Sequence, residues 1–423
     1  MDRHGPRRVA ARTPRGAGTG KATPGETAPR SAPTRHVTGR GAAVRGAAAG
    51  IVTAALLAAA ACSSSDDAPK SAASTPRTTV GVSPSGSAPP AGSSPKVTVA
   101  GTITGNLKTP WGMAFLPDGT ALVGSRDTAA VVRVTEDGDK EPVGTVPGVR
   151  TADGAGEGGL LGLAVSPTFE RDHLVYAYLT SPRDNRIVRM RLEGDQLGRP
   201  SPVLTGIPSG TNHNGGRIAF GPDGMLYAGT GERYESSLAQ DKRSLGGKIL
   251  RMRPDGEPAP GNPFPDSVVY SLGHRNVQGL AWDAQGRLWA SEFGQHTWDE
   301  LNLIRPGGNY GWPVVEGMSD DEAKKKKYIN PVAQWRTAEA SPSGIAYADG
   351  AIWMASLRGE RLWRVVLDGT RVSGRPKAFV TDRGRLRTVV HAPDGSLWLT
   401  TSNTDGRGAP RDGDDRLLRL TVR

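Results

Sequence analysis

A single cysteine, Cys62, stands in 423 residues, so no intrachain disulfide can form and a Cys-x-x-Cys-His haem attachment is excluded. Long amphipathic helical patterns are absent and aromatic residues make up only 5% of the chain, whereas Gly (57) and Pro (33) are abundant. That balance argues for an all-β, turn-rich body. The usual cofactor signatures are also missing. No G-x-G-x-x-G sits at a strand–helix junction, and there is no P-loop and no G-x-S-x-G elbow. Redox chemistry in this chain would therefore need a cofactor held by charge and metal.

The formal charge of +11 is unevenly spread. Residues 1–62 hold ten Lys/Arg against Asp2 and Glu26, a balance of +8 that leaves only +3 for the other residues. A nucleic-acid partner loses most of its support on that count. Within residues 1–62, Arg40 and Arg45 precede the apolar run Ala47 to Ala61, which ends at Cys62 and Ser63-Ser64-Ser65-Asp66-Asp67. This is the layout of an export signal with small residues before its cleavage point. It resembles a bacterial lipoprotein signal with Cys62 as lipid acceptor, although Ala59 stands where such signals more often carry Leu or Val. A plain secreted protein is the second reading. A transmembrane anchor is the third, against which the run is shorter than the ~20 residues a bilayer span needs. The expectation is an extracytoplasmic protein, lipid-anchored to the outer face of the cell membrane or secreted. Residues 1–62 are read as a disordered extension plus signal. Residues 63–96, rich in Ser, Pro and Ala, are read as a flexible tether, and 97–423 as the folded domain.

Within that domain one pattern recurs six times: an apolar strand, a tight turn, a second apolar strand. Ala114-Phe115-Leu116-Pro117-Asp118-Gly119 precedes Ala121-Leu122-Val123, and Ala219-Phe220-Gly221-Pro222-Asp223-Gly224 precedes Leu226-Tyr227-Ala228. Related units begin at Leu163, Leu280, Ile345 and Val390. Asp-Gly pairs permit the positive φ of tight hairpins. Strand-rich repeats at a period near ~40–50 residues predict a propeller, here a six-bladed β-propeller whose last strand, Leu417 to Val422, closes the ring beside Val97. Blade loops then converge on one funnel, where distant residues meet.

Three segments carry chemistry. Thr211-Asn212-His213-Asn214-Gly215-Gly216-Arg217 places a histidine on a glycine-lined loop, and an imidazole with an ordinary pKa near ~6.5 accepts a proton at neutral pH. Gly273-His274-Arg275-Asn276 is a sharp turn whose Arg can bond an oxygen gaining charge. Arg385-Leu386-Arg387 alternates at period two, so both guanidiniums leave an extended segment on one side and suit a polycarboxylate. Taken alone, each also fits a structural histidine, a salt bridge or a solvent face.

The run Gly273 to Pro313, GHRNVQGLAWDAQGRLWASEFGQHTWDELNLIRPGGNYGWP, resembles almost residue for residue the soluble quinoprotein glucose/aldose (glucose/sorbosone) dehydrogenases. These are β-propellers that carry pyrroloquinoline quinone (PQQ) and calcium. The resemblance covers roughly Val97 to Arg423 and is most specific over 273–313, 211–224 and 385–395. It implies oxidation of an aldose at C1 to a lactone, with His213 as the base and electrons leaving PQQ for an external acceptor. Arg275 and Asn276 would touch PQQ, with Arg275 stabilising its reduced oxygen. Arg358, Arg385 and Arg387 would hold its carboxylates, Arg358 replacing the family's more usual Lys. The carbonyls of Gly294 and Gln295 would bind the calcium that meets PQQ; the family often has Pro in place of Gln295, a change expected to loosen the loop. Glu300, the Tyr310 carbonyl and Asp320 would form a second calcium site, and Glu157 would contact the sugar. Glu232 and Arg233 are expected at the funnel without a role, and Trp111 either at its mouth or in the core. The expected partners are a sugar and an external electron acceptor, with no nucleic acid, a membrane reached only through the lipid, and a monomeric state. Two rivals stay open: a calcium-dependent propeller lactonase, and a non-catalytic propeller that binds glycans or proteins.

Overall fold

The computed structural model describes residues 97–151 and 156–422; Cys62, the apolar run and the tether lie outside them. The described chain forms six antiparallel sheets arranged as the blades of a propeller. The innermost strands are Pro110–Phe115, Leu160–Val165, Ile218–Phe220, Val277–Trp282, Pro342–Ala348 and Leu386–His391. Each packs against the next, and the sixth against the first. Closure is as expected from the sequence: Val97–Thr104 joins the sixth blade as its outer strand by pairing antiparallel with Leu417–Val422, Val97 opposite Val422. The two ends of the described chain are thus held in one blade, and the edge left at the join is a short outer strand.

The core is six wedges, one between each pair of neighbouring blades. Tyr176, Tyr178 and Ile187 of the second blade pack on Leu226, Leu250 and Met252 of the third, for example. Equivalent second-strand positions of the last three blades carry Trp289, Trp353 and Trp398, all buried. An aromatic side chain buries ~150–250 Å², worth at most about 4–6 kcal/mol each at ~25 cal/mol per Å². These strand-centre tryptophans replace the single apolar nucleus of a bundle.

The turns differ from the simplest hairpin. Gly119, Gly224, Gly286 and Gly395 are left-handed (φ 84°, 72°, 72° and 82°). At each, the glycine N–H closes a turn on the residue three before it, as Gly119 does on Leu116. The aspartate does not share the positive φ; its carboxylate accepts the N–H two residues on, Thr120 from Asp118 and Ser396 from Asp394. Only Asp349-Gly350 is left-handed at both residues (φ 49° and 68°). The recurring Asp is therefore mostly a side-chain cap on the turn.

Because every innermost strand runs the same way, their first residues meet at one end of the central channel. The loops that precede them build the site.

Candidate active site in the propeller funnel

His213 lies on the loop before the third blade, 4% exposed and left-handed (φ 55°). Asn214 fastens this loop: its Oδ1 accepts from Asn185 Nδ2 and Gly210 N (both 3.0 Å), and Tyr178 Oη donates to its carbonyl (2.8 Å). Gly231 must be glycine here, since a Cβ would lie 1.9 Å from the His213 carbonyl. His213 Nδ1 makes a close contact with Glu232 Oε1, and both side chains are buried. A carboxylate at Nδ1 selects the Nδ1–H tautomer and leaves the Nε2 lone pair free to accept a proton. Tyr234, 61% exposed, rests on the imidazole with ring centroids 3.9 Å apart. Glu232, given no role by the sequence, is thus the partner of the predicted base. Arg233 instead turns outward to Glu235.

Glu157 sits beside His213. Its Oε2 accepts from His213 N (3.2 Å) and its Oε1 pairs with Arg407 Nη1 (2.7 Å). Burial acts to raise its pKa, but the Arg407 guanidinium and these hydrogen bonds together hold it below the usual range. Glu157 also lines a cleft with Trp111, Gln278, Arg385, Arg387 and Asp405. Arg385 Nε and Nη2 reach Asp405 Oδ2 at 3.0 and 2.9 Å, while Arg387 Nη1 reaches Gln278 Oε1 at 3.1 Å. Arg387 Nε is enclosed without a partner. Burial pushes the Arg387 pKa down to about 9, with Asp405 opposing and Arg126 and Arg385 adding to the shift. Trp111 serves both expected roles: it packs in the core between the second and third blades and lines this cleft.

Arg275 and Asn276 lead into the fourth blade. Glu292 fixes the turn, taking Arg275 N on Oε2 and His274 Nδ1 on Oε1 (both 2.8 Å). Burial lowers the Arg275 pKa, with Glu232 and Tyr234 the first of the groups opposing it. Asn276 Oδ1 accepts from Gly215 N (2.9 Å), while its Nδ2 is enclosed and unpartnered. Gln295 tightens rather than loosens its surroundings, since its Oε1 accepts both Nε (2.9 Å) and Nη2 (2.6 Å) of Arg275.

The loop at 294–298 has an organiser that the sequence does not reveal. Glu316 Oε1 accepts the N–H groups of Gln295, His296, Thr297 and Trp298 at 2.7–3.2 Å, and Asp299 Oδ1 accepts that of Gly294 at 2.9 Å. Burial pushes the Asp299 pKa up to about 6. The carbonyls of Gly294 and Gln295 accept no hydrogen bond from a described residue.

Two other expectations are not met in the geometry. Arg358 is exposed, and its neighbour Leu357 lines the cleft in its place. Of the second calcium set, Asp320 stands apart from the two buried members. Glu300 is buried, accepting Gly317 N (2.7 Å) and Asn302 Nδ2 (3.0 Å), with its pKa pushed up to about 8 by burial and by Glu292. Tyr310 is buried and stacks on His274 (4.7 Å). The Asp320 side chain, however, is fully exposed, 4.0 Å from Lys325 Nζ. Among the described residues no three His, Cys, Asp or Glu side chains converge as a metal cluster.

Comparison with known proteins gives the family. Residues 107–419 match the family described as Glucose / Sorbosone dehydrogenase. Quinoprotein glucose dehydrogenase B of Acinetobacter calcoaceticus is 32% identical over 283 residues, which span 59% of each chain. The aldose sugar dehydrogenase YliI of Escherichia coli is 29% identical over 334 residues, 71% of this chain and 89% of that one. The structure of the PQQ-bound form of the aldose sugar dehydrogenase of Streptomyces coelicolor matches with a TM-score of 0.75 at 60% identity, over 78% of this chain and 99% of that one. The chain belongs to the glucose/sorbosone dehydrogenase family.

Proposed function

We propose that the protein is a PQQ-dependent dehydrogenase that oxidises an aldose at C1 to the lactone and hands the electrons to an external acceptor. The observation that carries this reading is the buried His213–Glu232 pair beside a cleft walled by Arg385 and Arg387. The family and the PQQ-bound relative make PQQ the cofactor to test. The residues fit such a group: it is a polycarboxylate, and the cleft offers the guanidiniums of Arg385 and Arg387, the latter with an enclosed Nε that has no partner among the described residues, while Asn276 Nδ2 is a second enclosed donor without such a partner.

When bound, PQQ supplies a quinone that accepts hydride. The protein supplies the rest. Glu232 holds the Nδ1 proton, so Nε2 of His213 takes the proton of the sugar hydroxyl. Arg275, oriented by Gln295 and Glu292, is a fixed cation for oxygen charge that develops in the reaction. Arg385 and Arg387 bind carboxylates. Glu157, which Arg407 holds as its anion, is positioned to accept a sugar hydroxyl. Tyr234 covers the imidazole and limits water at the base. Arg358, exposed and without a partner among the described residues, is free to swing toward a bound carboxylate.

The same reading includes calcium on the carbonyls of Gly294 and Gln295. Main-chain oxygens suit calcium, and these two stay free because Glu316 and Asp299 engage the N–H groups around them. The second site of Glu300, Tyr310 and Asp320 does not fit as arranged, and no step depends on it. Glu316→Gln is expected to weaken calcium binding about tenfold, the order seen when groups that orient metal ligands are lost. Calorimetric calcium titration of the two proteins, with equal affinities as the contrary result, checks the role of Glu316.

The proposal extends to a monomer held outside the cell membrane by lipid on Cys62, where the signal-like segment points. The deciding experiment is to add PQQ and Ca²⁺ to the purified apoprotein and follow reduction of an artificial dye by a panel of aldoses. Sugar-dependent dye reduction that requires PQQ is expected. Lactone hydrolysis without PQQ would favour the lactonase, and sugar binding without turnover the non-catalytic propeller. The lactonase would need carboxylate and Asn side chains from several blades around a deep metal, and the carboxylates do not so converge among the described residues.

A further inference from the structure

We propose that the end of the central channel opposite the arginine cleft is a second binding site, for a small organic anion with a flat apolar body. The innermost strands begin at the cleft and end at a hollow of about 350 Å³ to which all six contribute, a size within the ~300–1,000 Å³ of small-ligand sites. Its rim carries the half-buried rings of Phe115, Phe220, Trp282 and Tyr347 at or next to the strand ends, with His391 exposed beside them. Apolar walls edged by aromatic rings suit a flat hydrocarbon body.

The charge comes from Arg217, which lines the hollow and is 8% exposed. Its Nε donates to the Gln278 carbonyl (2.9 Å), its Nη2 to Thr388 Oγ1 (3.1 Å), and its guanidinium lies 4.3 Å from the Trp111 ring centroid. Among the described residues no carboxylate pairs with it, and Nη1 makes no hydrogen bond. Its charged neighbour is Arg387, which repels it; burial and that repulsion push its pKa down to about 9. Buried cations are ordinarily paired. This one belongs to a residue lining a hollow whose lining includes no Asp or Glu, so an incoming carboxylate would be the missing partner. The gain is a charge-assisted hydrogen bond away from bulk water. A neutral ligand of the same shape would fill the hollow without meeting the charge.

The test is calorimetric titration of the full chain with naphthalene-2-carboxylate and with its neutral analogue naphthalene-2-carboxamide. The carboxylate should bind one per chain and at least about tenfold tighter than the carboxamide, the worth of one hydrogen bond to a charged group. Arg217→Met should erase that preference. Ala219→Phe, a half-buried wall position remote from the funnel, should weaken carboxylate binding by about tenfold or more through overfilling, with the melting temperature retained. Should Arg217→Met fail to fold, Ala219→Phe and the ligand pair still decide. Equal affinity for the two ligands or no binding overturns the proposal. So does undiminished binding to Ala219→Phe, which would place the carboxylate on Arg385 and Arg387 instead.

Discussion

The His213→Ala variant is expected to take up PQQ as the parent does and to lose sugar oxidation by roughly 10²–10⁴-fold, the usual contribution of a positioned general base. The argument rests on separation of parts. The proposed carboxylate-binding groups, Arg385 and Arg387, are held by Asp405 and Gln278, and none of these contacts passes through the imidazole. The loop of His213 keeps its shape through Asn214, Asn185 and Tyr178. Truncation therefore removes the proton acceptor and leaves the cleft. The loss should fall on kcat with little change in KM, since the proton moves only as the reaction proceeds. Glu232→Gln should fall in the same direction, because an amide at Nδ1 no longer dictates the tautomer or stabilises the imidazolium. Stopped-flow reduction of the reconstituted enzyme checks both. Parent-like turnover in His213→Ala would remove the base from the proposal.

The blades were legible because their chemistry is local. Each unit carries its own strand–turn–strand pattern, and Val97 and the last strand show their pairing by their position at the ends of the repeat. His213, Arg275, Asn276, Arg385 and Arg387 were singled out as candidates through motif resemblance. Their supports were not. Glu232 reaches His213 across two strands of one blade, Asp405 reaches Arg385 from the far side of a hairpin, and Gln278 meets Arg387 across the channel. Such pairings have no sequence period and emerge only when the ring closes. Glu316 is the plainest case: in sequence it is one acid in a loop, and in space it gathers four successive N–H groups. Lys248 is another. It looks like an ordinary strand residue, yet it is buried with Nζ donating to the carbonyls of Leu238, Ala239 and Gly246 at 2.6, 3.1 and 2.7 Å. Arg358 and Asp320, both exposed, show the opposite limit: matching a motif position does not fix where a side chain after a strand end or in an acidic loop will point.

Removing the guanidiniums of Arg385 and Arg387 should produce the other large effect. Arg385→Gln combined with Arg387→Gln is expected to weaken PQQ uptake by about 10²–10⁴-fold, from two lost charge-assisted contacts at roughly 1.5–3 kcal/mol each. In the cleft these arginines share one anion, Asp405, whose pKa burial would raise but which the Arg387 and Arg385 guanidiniums hold below the usual range. One carboxylate cannot satisfy two buried cations, and Arg387 makes the weaker contact, 3.6 Å from Asp405. An anionic ligand offsets that imbalance, so its affinity comes chiefly from charge already confined in the cleft. The double variant alone would leave Asp405 buried without its cations and could lose binding through misfolding. Adding Asp405→Asn removes that orphan and should restore the melting temperature without restoring uptake. Absorbance titration of each apoprotein with PQQ, read beside its thermal melt, separates the two causes. If the triple variant binds PQQ like the parent, the arginine cleft is not where the quinone is held.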